Sequence, residues 1–180
     1  MNLLSIFQQR HSIRKYTGAP IDDAALTQII QAGLLSVSSR SIRPWEFIVV
    51  KDKDMLRHLS ECRTGAARML AGADAAIVII ANAEASDVWI EDCSIAMANM
   101  HLMADSLGVG SCWIQGRLRT ATTADSGTAS VTTEDYVREC LDFPEGYKLE
   151  AILSLGMPAE EKTPAELSKL PFEKIHYEKF

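Results

Sequence analysis

The segment from Trp89 to Leu107 constrains the fold more than any other part of the sequence. Its pattern predicts a long helix with apolar residues on more than one face: Ile90, Cys93, Ile95, Met97, Ala98, Met100, Leu102, Met103 and Ala104. A helix that is apolar nearly all round must be buried, either in a large core or against another subunit. In a chain of 180 residues the second option gains weight. We interpret its methionines as packing residues and not as a ligand-binding stripe.

The run "AAIVIIAN" at residues 75–82 predicts a strand of a sheet that is covered on both faces, because its apolar residues do not alternate with polar ones. Further strands are predicted at 45–52, 109–116 and 148–156, and helices at 2–9, from Asp22 or Asp23 onward, at 54–62 and at 133–141. The element order indicates a central sheet surrounded by helices. The length favours a single domain over residues 1–180, and we find no internal repeat.

Composition excludes several classes of function. The net charge is −6, with a pI near 5.2, which argues against nucleic acid as the main partner. No apolar run approaches the roughly 20 residues of a membrane helix, so we expect no membrane association. The amino terminus lacks the features of a signal peptide, and with buried thiols this predicts a cytoplasmic protein.

The cysteines and histidines do not predict a metal site, because no pair has C-x-x-C spacing and the histidines are scattered. Cys112 as a nucleophile is an alternative. It lies in the apolar run "SCWI" without an obvious base nearby in the sequence, so we favour a structural role.

Basic side chains cluster in "QQRHSIRKYTG", residues 8–18 of an otherwise acidic chain. They have two interpretations. The cluster could be a solvated turn or a phosphorylation site, since basic clusters commonly are. Alternatively, Arg10, Ser12 and Arg14 form an anion cradle, in which guanidinium and hydroxyl donors converge on a phosphate. We call this stretch the Arg10–Arg14 cradle.

Two further segments have little predicted regular structure. Residues 118–133 are rich in Ser, Thr and Ala and are interpreted as a loop or lid that borders an active site. The end of the chain, "FEKIHYEKF", alternates weakly and could add to a sheet edge, including that of another chain.

Four parts of the chain, in order, resemble the FMN-dependent nitroreductase family. They are "RHSIRKYTGAPI", "VSSRSIRPWEFIVV", "ANMHLMADSLGVGSCWIQG", and "AILSLGMPAEEKTP" followed by "KLPFEKIHYEKF". Together they run from about Phe7 to the carboxy terminus. Each motif is weak by itself, whereas their shared order is specific.

The resemblance implies an α+β fold in which a central mixed, mainly antiparallel sheet is covered by helices on both sides. It also implies a homodimer that exchanges C-terminal segments and holds FMN at the subunit interface. NADH or NADPH would reduce the flavin, which would then pass two electrons to a nitroaromatic, quinone or related acceptor. Other flavin chemistry, such as dehydrogenation or reductive dehalogenation, and flavin sensing without turnover remain alternatives.

For the cofactor site, the resemblance implies phosphate contacts from Arg10 and Ser12, with His11 alongside. Arg14 would lie near the pyrimidine edge of the flavin ring, where a cation stabilises the reduced flavin, and Arg68 would approach the same edge. No side chain is expected to be catalytic, because the flavin carries the redox step.

Three other segments complete the implied site. Lys169 would bring a second cation to the phosphate from the carboxy-terminal tail. Backbone N–H groups of Gln115 and Gly116 would face flavin N5 and O4. The hydroxyls of Ser38, Ser39 and Ser41 would bond the ribityl chain or the ring.

The serine segment, residues 38–43, also departs from the family pattern. Val37 replaces the usual proline and Ser39 the usual alanine. Ser41 replaces the usual asparagine, and Arg43 adds a positive charge where the family has glutamine. These differences leave flavin binding as the expectation and the identity of the acceptor open.

Overall fold

The computed structural model describes residues 2–121 and 130–180. Within them the elements follow the order predicted from the hydrophobic pattern. They are α1 (Leu3–Gln9), α2 (Asp23–Leu34), β1 (Trp45–Val50), α3 (Lys53–Leu59), β2 (Ala75–Asn82), α4 (Trp89–Ser106), β3 (Gly110–Gln115), α5 (Thr133–Leu141) and β4 (Tyr147–Gly156). The N-cap of α5 is Thr132, whose side chain accepts from the Asp135 N–H.

The four strands form one sheet in the order β1-β2-β4-β3, and each neighbouring pair is antiparallel. A single parallel bridge joins Ser12 to Ser111, which brings the Arg10–Arg14 cradle against the outer edge of β3. The fold is therefore α+β with a mainly antiparallel sheet, as expected. The bridge matters most for function, because it ties a segment near the amino terminus to the core.

Both faces of the sheet are covered, as the uninterrupted apolar run of β2 predicts. Ile77 and Ile79 point into a core formed with α2 and α4, whereas Val78 and Ile80 point into a second core with α3 and α5. Helix α4 lies on the first core, where Met97 and Met100 are fully buried. Their predicted packing role is confirmed.

Helices α2 and α4 cross closely at Gly33. A Cβ atom at this position would lie 2.8 Å from the Sδ of Met100, well inside van der Waals contact. This close crossing lets α4 pack deeply, while Ile95 on its outer side keeps 38% of its surface exposed. The helix is thus buried mainly within its own chain, and only part of its apolar surface is left for another subunit.

The tail after Pro158 contains two short 3-10 turns, Leu167–Lys169 and Phe172–Lys174. Its weak alternation produces no strand within the described residues of this chain, and residues 161–180 are exposed. Of the predicted 118–133 lid, residues 122–129 lie outside the described residues. The flanks of that gap pair with each other through a bridge between Thr120 and Thr132. Among the helices that the structure describes, none has the length and apolar character to cross a membrane.

Candidate functional site

The Arg10–Arg14 cradle begins where α1 ends. Arg10 is the C-cap of α1, and its N–H donates to the Ile6 carbonyl at 2.9 Å. Two residues later Ser12 bridges to Ser111, and the Ile13 N–H donates to the Ser111 carbonyl at 2.9 Å. The chain therefore leaves α1 and runs along β3, which places the side chains of Arg10 and Ser12 over the end of the sheet.

The guanidinium of Arg10 contacts a buried histidine. Arg10 Nη1 lies 2.9 Å from Nε2 of His101, a residue of α4 that is 6% exposed. The other ring nitrogen, Nδ1, makes a short hydrogen bond with Oγ of Ser111. Burial, and secondarily the charge of Arg10, lower the pKa of His101 to about 4, so the imidazole is neutral at neutral pH.

An open cavity of about 330 Å³ lies beside these groups. Its lining residues are Phe7, Arg10, Ser12, Ala98, His101, Leu102 and Trp113. The cavity therefore combines apolar walls with cationic and hydroxyl donors at one end. That combination suits an organic molecule that carries an anionic group.

Arg14 continues the cradle toward the solvent. Its N–H donates to Oε1 of Glu160 at 2.7 Å. This hydrogen bond, with that of Lys162, lowers the pKa of the Glu160 carboxyl to about 2. The carboxylate fixes the backbone at Arg14 and leaves the guanidinium exposed.

The pKa of the Cys112 thiol on β3 is set by burial and by polar groups around it. Burial raises its pKa, while Arg14, a hydrogen bond with Ser12, and Arg63 lower it. A buried thiol with a raised pKa is a poor nucleophile, so this finding favours the structural role predicted for Cys112.

The end of β3 is held by the backbone of β4. The carbonyl of Glu150 accepts the N–H groups of Gly116 at 3.1 Å and of Arg117 at 2.9 Å. Nε2 of Gln115 also donates to this carbonyl, at 3.2 Å. The Gly116 N–H, which the resemblance directs to a flavin, is thus engaged within the sheet in this structure.

Glu150 occupies a β-bulge. Leu149 pairs with Ile80 and Ala151 with Ile79, so Glu150 is the extra residue between them. Its side chain is 3% exposed, and Oε2 has no hydrogen-bond partner among the described residues. Burial raises the pKa of this carboxyl, opposed by its hydrogen bond with Gln115.

The serine segment lies elsewhere, beside the first turn of α4. The Ser39 N–H donates to Oδ1 of Asp92 at 2.9 Å, and the Arg43 N–H donates to Oγ of Ser38 at 2.9 Å. Ser41 and Arg43 are exposed. No hydrogen bond, ion pair or cavity found in the described residues joins this segment to the cradle of the same chain.

Two predicted cations make no hydrogen bond or ion pair with the cradle among the described residues, although the tail is hydrogen-bonded to α1 between Ala165 and Gln8. Lys169 pairs with Glu166 at 2.7 Å on the exposed tail. Arg68 begins the 3-10 turn Arg68–Gly72 and is exposed. His11 lies within the cradle sequence and near Asp105 of α4. Burial raises the pKa of the Asp105 carboxyl, and the charges of Arg10 and His11 oppose this rise.

The comparison with known families decides the identity of this fold. The model of the nitroreductase family matches residues 7–62 and 55–157. The chain belongs to the nitroreductase family.

Relatives within the family cover nearly the whole chain. The solved structure of an FMN-dependent nitroreductase from Clostridium difficile R20291 is 44% identical, has a TM-score of 0.91, and covers 98% of this chain and 99% of its own. A protein of Archaeoglobus fulgidus provisionally named NADH dehydrogenase/NAD(P)H nitroreductase is 35% identical over 98% of both chains. The NADPH-flavin oxidoreductase of Vibrio harveyi is 25% identical over 98% of this chain and 73% of its own length.

The structure adds two residues to the candidate site that sequence reasoning missed: His101, which lines the cavity, and Glu150, which holds the end of β3. His101 offered one signal, since it is the only histidine within the apolar helix α4. Glu150 offered another, a lone carboxylate in the apolar strand "KLEAILSLG".

Proposed function

We propose that this protein is a cytoplasmic FMN-dependent NAD(P)H oxidoreductase that reduces a nitroaromatic, quinone or related acceptor by two electrons. The observation that carries the proposal is the cavity beside Arg10, Ser12 and His101 in a chain of the nitroreductase family. The FMN-dependent relative with 44% identity supports the choice of cofactor. The NADPH-flavin oxidoreductase of Vibrio harveyi supports the choice of electron donor.

The residues around the cavity fit a flavin phosphate. Arg10 has five N–H donors, and His101 accounts for one contact among the described residues, so most donors remain available to an anion. Ser12 adds a hydroxyl at the cavity wall. A phosphomonoester carries about −1.5 to −2 charges near neutral pH, which matches a cationic cradle in an otherwise acidic protein.

When bound, FMN would supply the two-electron transfer from NADH or NADPH to the acceptor. The chain itself would bind and orient the cofactor. Arg10 and Ser12 would hold its phosphate, and Arg14 would place a positive charge near the pyrimidine edge of the flavin ring. The end of β3 at Gln115 and Gly116 would form a rigid wall.

We also propose a homodimer in which the two halves of each site come from different chains. Helix α1 buries none of its residues within the protomer, and Leu3, Leu4 and Phe7 are each more than half exposed. On the tail, Phe172, Ile175, Tyr177 and Phe180 are also exposed. Apolar surface of this extent is typical of a subunit interface. In the dimer, the serine segment of one chain would reach the cradle of the other.

Flavin content and turnover test the proposal together. We expect the purified protein to be yellow, to release FMN on denaturation, and to oxidise NADH or NADPH when a quinone or nitroaromatic is added. Tight FMN binding without oxidation of either nucleotide would instead favour a flavin sensor. Protein that neither carries nor takes up FMN would contradict the proposal.

A further inference from the structure

Three polar residues form a chain of contacts that leads from the cradle into the core. Arg10 Nη1 lies 2.9 Å from His101 Nε2, and His101 Nδ1 is hydrogen-bonded to Ser111 Oγ. His101 is 6% exposed and Ser111 is 2% exposed. A buried chain of this kind is costly unless each member is satisfied, so it constrains the orientation of all three groups.

The protonation of His101 follows from the chemistry of its partners. A guanidinium only donates hydrogen bonds, so Nε2 must be the acceptor and carries no proton. The proton of the neutral ring is then on Nδ1, which donates to Oγ of Ser111. The lowered pKa of His101 agrees with a neutral ring. Two other ionisable groups lie near the contact: Asp105 of α4, whose carboxyl pKa is raised by burial, and His11, which together with Arg10 opposes that rise.

This chain connects a weakly anchored residue to rigid elements. Arg10 follows α1, a helix of seven residues with no buried side chain. His101 belongs to the buried 18-residue helix α4, and Ser111 to strand β3. The imidazole therefore gives the guanidinium a position that α1 alone does not provide. Pre-organisation of this kind increases affinity, because less freedom is lost when the ligand binds.

We propose that His101 is a positioning residue that aims Arg10 at a phosphomonoester and thereby sets the preference for FMN over riboflavin. This inference rests on the function proposed above. It also goes beyond it, because it assigns cofactor discrimination to a histidine that acts through its contact with Arg10.

Substitutions at His101 separate positioning from simple packing. In His101→Gln, the amide oxygen can replace Nε2 as the acceptor for Arg10. In His101→Leu, similar volume is kept and the acceptor is lost. We expect His101→Leu to bind FMN about tenfold more weakly, the loss typical of one hydrogen bond to a charged group, with riboflavin affinity unchanged. His101→Gln should recover most of the FMN preference, and His58→Ala, a change at an exposed histidine of α3, should match the wild type.

Binding of both ligands is measured by flavin fluorescence titration of the apoprotein. An unchanged ratio of FMN to riboflavin affinity in His101→Leu would overturn the inference, and so would an equal loss for both ligands. If the wild type bound neither ligand, the proposed function and the assigned discrimination would both fall.

A second measurement uses the wild-type apoprotein and does not depend on flavin or on how a variant folds. Nitrogen-15 NMR of the histidine rings reports which nitrogen carries the proton. We expect His101 to be neutral with its proton on Nδ1 at neutral pH. A proton on Nε2, or a charged ring, would contradict the proposed contact.

Discussion

The Arg10–Arg14 cradle and the serine segment lie in opposite structural situations. The cradle is bridged to β3 at Ser111 and contacts a buried histidine of α4. The serine segment is held by the hydrogen bond from the Ser39 N–H to Asp92 and by an exposed ion pair between Arg40 and Asp87. Its Ser41 and Arg43 side chains are exposed. One region is pre-organised by its own chain. The other presents its polar groups outward, as expected if they act on a site completed by a partner.

The backbone shows the same contrast. Arg40, Ser41 and Arg43 have φ values of 53°, 55° and 52°, in the left-handed region that non-glycine residues rarely adopt. Such conformations each cost roughly 1–3 kcal/mol and cluster at binding sites. None of the cradle residues from Arg10 to Arg14 has a positive φ. The serine segment therefore stores strain on the surface, whereas the cradle does not.

Removal of Arg10 should have the largest effect. Arg10→Ala deletes the charged donor that faces both the cavity and His101, so we expect FMN affinity to fall by about 1.5–3 kcal/mol. Flavin titration measures the loss. Arg57→Ala, which removes an arginine from an exposed ion pair with Asp54, is the matched control and should bind FMN normally. Equal FMN affinity in Arg10→Ala and Arg57→Ala would show that the cradle does not bind FMN.

Gly116→Ala tests the rigidity of the end of β3. A Cβ atom there would lie 2.5 Å from Cδ2 of Leu149, inside the packed sheet. We expect a loss of about 1–3 kcal/mol in the free energy of unfolding, measured by denaturant titration, because the strand end cannot shift easily. Gly146→Ala has nothing within 4 Å of the added Cβ and should be nearly neutral. Similar free energies of unfolding for the two variants would show that the end of β3 can shift to accommodate the added methyl group.

The tail should show a different pattern from the cradle. Within one chain Lys169 makes an exposed ion pair with Glu166, so Lys169→Ala should change the free energy of unfolding by less than about 1 kcal/mol. We nevertheless expect FMN affinity to fall about tenfold, because the tail of one chain would bring this cation to the phosphate in the dimer. Lys174→Ala, on the next 3-10 turn, is the control. Unchanged FMN affinity in Lys169→Ala would exclude the tail from the site.

Glu150→Gln should have the smallest effect, and a pH-dependent one. Burial raises the folded-state pKa of this carboxyl above its ordinary value of 4.5, so the folded protein holds the proton more tightly than the unfolded chain. The resulting destabilisation is absent below that value, grows as the pH rises, and levels off above the folded pKa. Glutamine cannot ionise, so the variant lacks this pH-dependent destabilisation. The variant should therefore gain stability relative to the wild type as the pH rises above 4.5. A difference in stability that stayed constant with pH would contradict a raised pKa.

Hydrophobic patterns predicted much of the fold for a physical reason. The uninterrupted apolar run of β2 requires cover on both faces, and the Thr cap before α5 marks where that helix begins. These are local signals. The bulge at Glu150 is not local, because it depends on how two strands, β2 and β4, align along their length.

The site was predictable only in part. The cluster at Arg10 is contiguous in sequence, so composition alone raised the possibility of an anion site. The contact between Arg10 and His101 joins residues 91 positions apart, and no periodicity reports it. Among the described residues, the serine segment makes no hydrogen bond or ion pair with the cradle of its own chain. Its assignment stays a prediction, because it requires a second copy of the chain.

The most direct test of the shared site is a mixing experiment with crossed defects. One variant carries Arg10→Ala and Arg14→Ala, and the other carries Ser38→Ala, Ser39→Ala and Ser41→Ala. Each should fold and dimerise without flavin. When the two are unfolded and refolded together, random pairing makes about half of the dimers mixed, and each mixed dimer contains one intact site and one doubly defective site.

Bound FMN per chain after mixing is the deciding measurement. The account predicts that about a quarter of all sites regain FMN, together with oxidation of NADH or NADPH. If the cradle and the serine segment met within one chain, every site would still carry a defect. Verified mixed dimers that bind no FMN would therefore contradict the account.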